Sequence, residues 1–487
     1  MSRSFIIIGG GIAGLTAGCY AAMNGFDVEI HEMHTIPGGL CTAWKRENYT
    51  FDLCIDWLCG SSPGTSLYPV WEELGIVQGR TFTYPEYYTV AIHRSGEQFT
   101  VWVDPDRLKE EMLRIAPEDS GFIRQFTGDM RKLSGFDIPV DPGFWDILKM
   151  IPNLGLFRRN AVPIPELAQR IRNPVLQELF ISALDWNDQS AFFVEINIAY
   201  MARKAAGYPH GGSVPVVKTM EERLRSLGGT IRYRSKVKEV IVEDDRTAGV
   251  LLEDGTRVPA DIVLSAADGF STLFRWIPEK YVTDEIRGYY RNLKPFPPLL
   301  YVSLGVAGGW SDLPWSVSFP LKEPVTIGGM PFSRLGLISR AHDTSLAPPG
   351  RAVLSLMIEA DYSYWEKIPY PSETYRKEKE RIGEQVLDAM ENFYPGIRDS
   401  VEVMDIATPH TFVRYTGNWR GSYQGWLSTS ATMNLTLPQV LPRLKSFYMA
   451  GQWVAPGGGL PGAAISARRA VQLVCRAEGR RFITSKP

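Results

Sequence analysis

An α/β fold, a parallel sheet wound by helices and interrupted by a lobe of mixed sheet and helices, is predicted by three observations on this sequence. The chain opens on an apolar run, Ser4-Phe5-Ile6-Ile7-Ile8, that leads into Gly9-Gly10-Gly11-Ile12-Ala13-Gly14 and a helix-forming stretch. A second glycine-rich segment, Gly457-Gly458-Gly459-Leu460-Pro461-Gly462, stands near the far end before another helix-forming stretch. Between them, Gly207-Tyr208-Pro209-His210-Gly211-Gly212-Ser213 again couples glycines to an amphipathic helix, expected over 214–227, and then to a run of strands.

The first segment has the strand, turn and helix context of a Rossmann-like dinucleotide fingerprint. Gly9 permits the tight turn, Gly11 lets the backbone approach a pyrophosphate, and Gly14 lets the helix pack closely on the strand. Ile12 and Ala13 open a helix whose free N–H groups and positive dipole end face the phosphates. A second strand, Asp27-Val28-Glu29-Ile30-His31, ends in Glu32 and Met33. Glu32 stands about twenty residues beyond the glycines, where a ribose-binding carboxylate belongs.

Pro37-Gly38-Gly39-Leu40-Cys41-Thr42 follows directly, with Phe51-Asp52 and Asp56-Trp57 beyond it. Past the mid-chain helix come Gly228-Gly229, alternating segments at 230–233, 236–242 and 249–252, the turn Asp254-Gly255, and Ile262-Val263-Leu264-Ser265-Ala266-Ala267-Asp268. Near the end, Phe447-Tyr448-Met449-Ala450-Gly451 reads as a short strand, followed by Gln452-Trp453-Val454-Ala455-Pro456 and a helix from Gly462 or Ala463. Together these blocks resemble the phytoene desaturases, carotenoid isomerases and retinol saturases of the amine oxidase superfamily. The resemblance implies an FAD-binding domain of the amine-oxidase type. It sets Gly38, Gly39, Leu40 and Trp57 near the flavin, Val237 against the adenine and Ala266 near the pyrophosphate. It also sets Gly451, Gln452, Leu460, Pro461, Gly462 and Ala463 beside the flavin ring. The chain departs from the bacterial carotenoid desaturases at Val454-Ala455-Pro456-Gly457, where those enzymes usually carry Thr-His-Pro-Gly, so the resemblance carries FAD further than it carries phytoene.

The three blocks imply one discontinuous FAD-binding domain, 1–75, 205–275 and 435–487, and a substrate lobe built from 76–204 and 276–434. Within the lobe a hairpin is expected from 88–93 and 98–103, then helices at 106–116, 121–134, 144–154, 174–184 and 195–206. Strands are expected at 299–305, 324–327 and 352–358, with a long helix over 373–393. No second GxGxxG unit signals a separate NAD(P)H domain.

At 487 residues, 44% hydrophobic and 22% charged, the chain can bury a large core. Its formal charge of -2 gives no electrostatic footprint for nucleic acid. A strand starting almost at Met1 leaves no room for a signal peptide, and no apolar run reaches transmembrane length, so a cytoplasmic protein is expected. Phe144 and Trp145, with apolar residues as far as Phe157 and then Arg158-Arg159, suit either a helix packed on its own lobe or one in peripheral contact with a membrane. The five cysteines, Cys19, Cys41, Cys54, Cys59 and Cys475, form no paired CxxC arrangement; neither a disulfide framework nor a metal site is expected, and Cys54 and Cys59 are read as isolated thiols or, alternatively, as a redox pair on a loop near the flavin. Oligomeric state is left open.

Flavin chemistry asks the protein for positioning, water exclusion and charge stabilisation rather than a nucleophile, so no triad is expected. The aromatic stretch from Thr408 to Trp426 suits either the wall of an elongated apolar pocket or packing between lobes. Arg414, Tyr415 and Asp56 are the candidate catalytic groups. Three function classes follow: an FAD-dependent desaturase, saturase or isomerase of an apolar unsaturated small molecule, an amine-oxidase-like flavoenzyme, and a non-catalytic binder like the Rab GDP-dissociation inhibitors. Intact glycines at both ends argue against the third.

Overall fold

Strand Ser4–Ile8 serves two cores at once, because successive side chains leave opposite faces of a strand. Phe5 and Ile7 pack under the helices, whereas Ile6 and Ile8 face a layer on the other side. In the computed structural model, which describes residues 2–141, 143, 151–185, 189–429, 432, 435 and 437–487, this strand is the centre of a five-stranded parallel sheet. Its order is Thr230–Arg232, Asp27–His31, Ser4–Ile8, Ile262–Ser265, Phe447–Met449. Segments more than 400 residues apart in the chain thus share one sheet, as the three glycine-bearing blocks predict. Helices Ile12–Met23, Ser213–Ser226 and Gly459–Ala477 cover one face, and the antiparallel meander Val237–Glu243, Arg246–Leu252 and Arg257–Pro259 covers the other.

The second sheet has seven strands, in the order Val401–Ala407, Leu299–Ala307, Arg351–Glu359, Met330–Ser339, Ser316–Ile327, Tyr87–Ile92, Gln98–Trp102. The expected hairpin is present and joins the rest through a parallel pairing of Val90 with Val317. Two of these strands, Met330–Ser339 and Val401–Ala407, are not apparent in the sequence. They alternate charged and small residues with apolar ones at the sheet's exposed portions, so their apolar signal is weak. The strand expected at 324–327 is the end of Ser316–Ile327, and Glu373–Phe393 is a helix as expected.

Helices Pro105–Ile115, Ser120–Ser134 and Pro174–Leu184 lie where expected. The helix expected at 195–206 instead spans Ala191–Ala202, since Ala206–Pro209 is drawn into a short sheet with Leu58–Cys59 and Phe82–Thr83. Residues 144–150 of the membrane-contact candidate, Phe144 and Trp145 among them, lie outside the described residues. Its continuation Leu154–Arg159 is a short helix, with Leu154 exposed. Among the described residues no helix is long and apolar enough to cross a membrane.

Helix Ala191–Ala202 is apolar on nearly every side, and its buried exception is Glu195. Asn160 donates to one Glu195 oxygen at 2.6 Å, and the other oxygen has no partner among the described residues. Burial holds this carboxyl well above the usual carboxylate range. The native state therefore binds a proton that the unfolded chain releases near pH ~4.3, and this contribution to stability is lost as pH rises through the raised native value. Glu195→Gln is expected to flatten that dependence, gaining more stability over wild type at about pH 8 than at about pH 5 in urea unfolding. Parallel pH profiles for the two proteins would contradict this.

Candidate functional site

The turn after the first strand is built as the glycines require. Gly9 has φ +96° and donates to the His31 carbonyl at 2.9 Å. A Cβ on Gly14 would lie 1.9 Å from the Gly9 carbonyl oxygen, so only glycine lets the helix sit this close. Gly11 differs: a Cβ there would meet its nearest protein atom, the Gly38 carbonyl oxygen, at 3.8 Å. The protein leaves room beside Gly11 that it does not itself fill. The helix beginning at Ile12 has no side-chain cap and no acidic residue in its first turn, so its N-terminal N–H groups are available to an anion.

Glu32 is 6% exposed, and its carboxylate accepts from Gly10 N–H at 2.7 Å and from His34 N–H at 2.7 Å. These bonds fix it at the end of its strand, beside the turn. Gly38 donates to the Gly10 carbonyl at 2.8 Å and brings the second glycine pair alongside the first. Ala266 is held by its N–H to Ile8 O at 2.9 Å, and Gly451 donates to the Ser466 hydroxyl at 2.9 Å.

These groups border one cavity of about 1040 Å³. Gly9, Gly11, Ile12, Ala13, Glu32, Met33, Val237 and Ala266 line it from the parallel-sheet side, with Gly38, Gly39, Leu40, Gly451, Gln452 and the segment Leu460, Pro461, Gly462, Ala463. Gly14 does not line it, being committed to the Gly9 contact. Helix Gly459–Ala477 starts in the wall without a side-chain cap or an early acidic residue. An uncapped helix end at each of two walls, with a carboxylate placed for a sugar hydroxyl, fits a dinucleotide cofactor.

The cavity continues into an apolar region formed by Trp57, Tyr88, Leu67 and helix Ala191–Ala202, which contributes Phe192, Phe193, Ile196, Asn197 and Tyr200. Phe193 explains one C-terminal glycine: a Cβ on Gly457 would stand 2.4 Å from its ring. Asn197 supplies a polar point, its side-chain oxygen accepting from Trp57 Nε1 at 3.1 Å and from the Cys59 thiol at 3.2 Å. Burial pushes the Cys59 thiol up to about 12. The sequence reading found this helix but not its place in the cavity wall, because it is hydrophobic all round; Phe193 and Asn197, one turn apart, were the signal available.

Asp56 and Trp57 lie on the loop after strand Tyr49–Asp52. The Asp56 carboxylate lines the cavity but is ion-paired with Arg340, a guanidinium whose side chain is 1% exposed. Burial alone would depress Arg340, yet Asp56, Tyr301, Tyr208 and Asp52 around it hold it well above its usual value. Asp52 caps the mid-chain helix instead of facing the cavity, accepting from Ser213 N–H at 2.5 Å and from the Ser213 hydroxyl at 2.7 Å.

Arg414 and Tyr415 line the cavity from helix Pro409–Thr416, but their surroundings do not suit the catalytic role expected of them. Tyr415 is 44% exposed and packs edge-on against His34, two residues past Glu32. Arg414 donates to the Tyr370 hydroxyl at 2.9 Å. Both exposed to water, neither is placed to serve a water-excluded reaction. The aromatic stretch divides likewise. Phe412, Tyr423 and Gln424 line the cavity, whereas Trp419 and Trp426 join Tyr290 and Phe270 in an aromatic cluster packed against Trp453, which itself lines the cavity.

The sequence matches the family model for flavin-containing amine oxidoreductases over residues 12–475. Curated relatives include a chloroplastic prolycopene isomerase from Daucus carota, 25% identical with 95% of this chain and 78% of that protein covered. A neurosporene-forming phytoene desaturase from Cereibacter sphaeroides is 24% identical, covering 95% and 92% respectively, and an all-trans-retinol 13,14-reductase from Danio rerio is 23% identical, covering 92% and 82%. Among solved structures, putrescine oxidase bound to putrescine aligns with a TM-score of 0.63 at 15% identity, covering 98% of this chain and all (100%) of that one. Cyclohexylamine oxidase from Brevibacterium oxydans aligns at 0.60 and 14%, covering 99% and 100%. At those identities the likeness establishes the fold.

Proposed function

The chain belongs to the family of flavin-containing amine oxidoreductases, and from that premise we propose that this FAD-dependent oxidoreductase desaturates, saturates or isomerises an elongated apolar polyene. The observation that carries the reading is the single cavity that joins the dinucleotide cradle to an apolar chamber. Its volume, about 1040 Å³, is at the upper end for one small-molecule site (roughly 300–1000 Å³), which suits a cofactor and a substrate end to end. The relatives' names, an isomerase of prolycopene, a desaturase of phytoene and a reductase of retinol, concern unsaturated hydrocarbon chains and support the same substrate class.

Bound FAD supplies two-electron chemistry, taking or giving hydride at N5. In this reading Gly9, Gly11, Glu32, Val237 and Ala266 hold the nucleotide, and Gly38, Gly39, Leu40, Gly451 and Gln452 hold the flavin half. The uncapped start of helix Gly459–Ala477 favours negative charge near the ring. Trp57, Phe193 and Ile196 exclude water and orient the hydrocarbon, and the Asn197 side chain fixes the Trp57 indole. The division into a discontinuous cofactor domain, 1–75, 205–275 and 435–487, and a substrate lobe is part of the same proposal.

An amine-oxidase reading predicts a different first half-reaction. Oxidised holoprotein is mixed anaerobically with a panel of amines and, separately, with polyenes, and the flavin absorbance is followed. We expect no bleaching by any amine. Rapid bleaching by an amine, with polyenes inert, would overturn the proposal in favour of amine oxidation.

A further inference from the structure

The hairpin that follows the second glycine pair brings two thiols together. Strand Ala43–Arg46 pairs antiparallel with Tyr49–Asp52, with Ala43 opposite Asp52. Leu53 N–H donates to the Thr42 carbonyl at 3.1 Å and carries the pairing one step further, so that the next opposed residues are Cys41 and Cys54. Directly opposed residues of an antiparallel pair project to the same face with Cβ atoms about 4.5–5.5 Å apart, and a disulfide needs Cα atoms about 4.4–6.8 Å apart. The neighbouring Cys41 thiol and burial together hold the Cys54 thiol well above its usual value. Both are free and both line the large cavity, Cys41 buried and Cys54 half-buried. Cys59, the partner the sequence suggested for Cys54, is instead bonded to Asn197.

We propose that Cys41 and Cys54 form a redox site at which a peroxide oxidises the dithiol to a cross-strand disulfide that tightens the cofactor cradle. One sulfur attacks a peroxide oxygen, the O–O bond breaks and hydroxide leaves, giving a sulfenic acid. The second sulfur then attacks the first, the S–O bond breaks, the S–S bond forms and water leaves. With hydrogen peroxide the sum is two thiols and one peroxide giving one disulfide and two waters, the sulfurs losing the two electrons that the peroxide gains. The new bond would tie the Gly38-Gly39-Leu40 segment to the segment carrying Asp56 and Trp57, both of which line the cavity. The inference rests on hairpin register and cavity lining and is independent of the substrate assigned above.

The test uses the full chain loaded with FAD. After exposure to hydrogen peroxide, the protein is denatured, alkylated and digested without reduction, and its peptides are analysed by mass spectrometry. In parallel, FAD release on dilution is followed by the fluorescence of the freed cofactor. We expect a dithiothreitol-reversible cross-link between the peptides bearing Cys41 and Cys54 and a several-fold slower release of FAD after oxidation. Cys54→Ser is expected to lose both effects while Cys41 becomes trappable as a sulfenic acid. Full alkylation of Cys41 and Cys54 after peroxide, a cross-link joining other cysteines, or a Cys41–Cys54 cross-link that leaves FAD release unchanged would overturn the proposal.

Discussion

Gly11→Val is expected to fold and to lose FAD. The surrounding protein leaves a Cβ at Gly11 3.8 Å from its nearest neighbour, so the apoprotein accommodates the substitution, while the valine methyls enter the space kept open at the start of the first helix. The loss in FAD affinity is expected to be at least about a hundredfold, ~3 kcal/mol, measured by fluorescence titration of the apoprotein. Gly14→Val supplies the contrast, since its Cβ would stand 1.9 Å from a backbone oxygen and the fold itself must give way. Glu32→Ala removes a charged hydrogen-bond acceptor, which costs about 1.5–3 kcal/mol, and is expected to weaken FAD roughly tenfold or more. Full flavin occupancy in both Gly11→Val and Glu32→Ala would show that the N-terminal turn is not the nucleotide cradle.

Arg340→Leu has the largest expected effect on stability. The guanidinium is buried with its Nε and one terminal nitrogen unpartnered among the described residues, and it stands between the cavity loop and the second sheet, ion-paired to Asp56 and near the buried Asp52 carboxylate. Removing one partner of a buried pair costs about 3–5 kcal/mol because the other charge is left behind. Asp56 keeps 16% of its side chain exposed, which favours the lower end, ~3 kcal/mol, in urea unfolding of the FAD-loaded protein. Because Asp56 precedes Trp57 on the same loop, the variant should also disturb the apolar chamber. The double variant Asp56→Asn/Arg340→Leu is expected to recover part of the loss, since it leaves no unpaired charge at that position. A single variant as stable as wild type would remove Arg340 from its place as anchor of the loop.

What the sequence revealed follows from how local each signal is. Gly9, Gly14 and Glu32 declare themselves through fixed spacing around one turn, and the strands of the parallel sheet, though not their order, show as apolar runs beside glycines. Arg340 could not be found this way: it meets Asp56 from 284 residues away, a separation that no local periodicity marks. Cys41 and Cys54 are likewise invisible as a pair until the register between Ala43 and Asp52 is known. The aromatic stretch misled in part because helix Pro409–Thr416 sends Phe412 to the cavity while the following turn sends Trp419 and Trp426 into a packed cluster. Aromatic content alone does not distinguish a wall from a core. Similarly, Arg414 and Tyr415 carry the right functional groups in the wrong surroundings.

The central claim, a polyene transformed beside FAD in one continuous cavity, is tested most directly by product analysis. A conjugated polyene is incubated anaerobically with the FAD-loaded protein, once with the flavin oxidised and once with it chemically reduced, and the extracted hydrocarbons are separated by chromatography. The account predicts that in at least one redox state the polyene is converted to a product with an altered number or geometry of double bonds, and that Gly11→Val abolishes the conversion. Unchanged polyenes in both states, across substrates of different length and starting geometry, would contradict it.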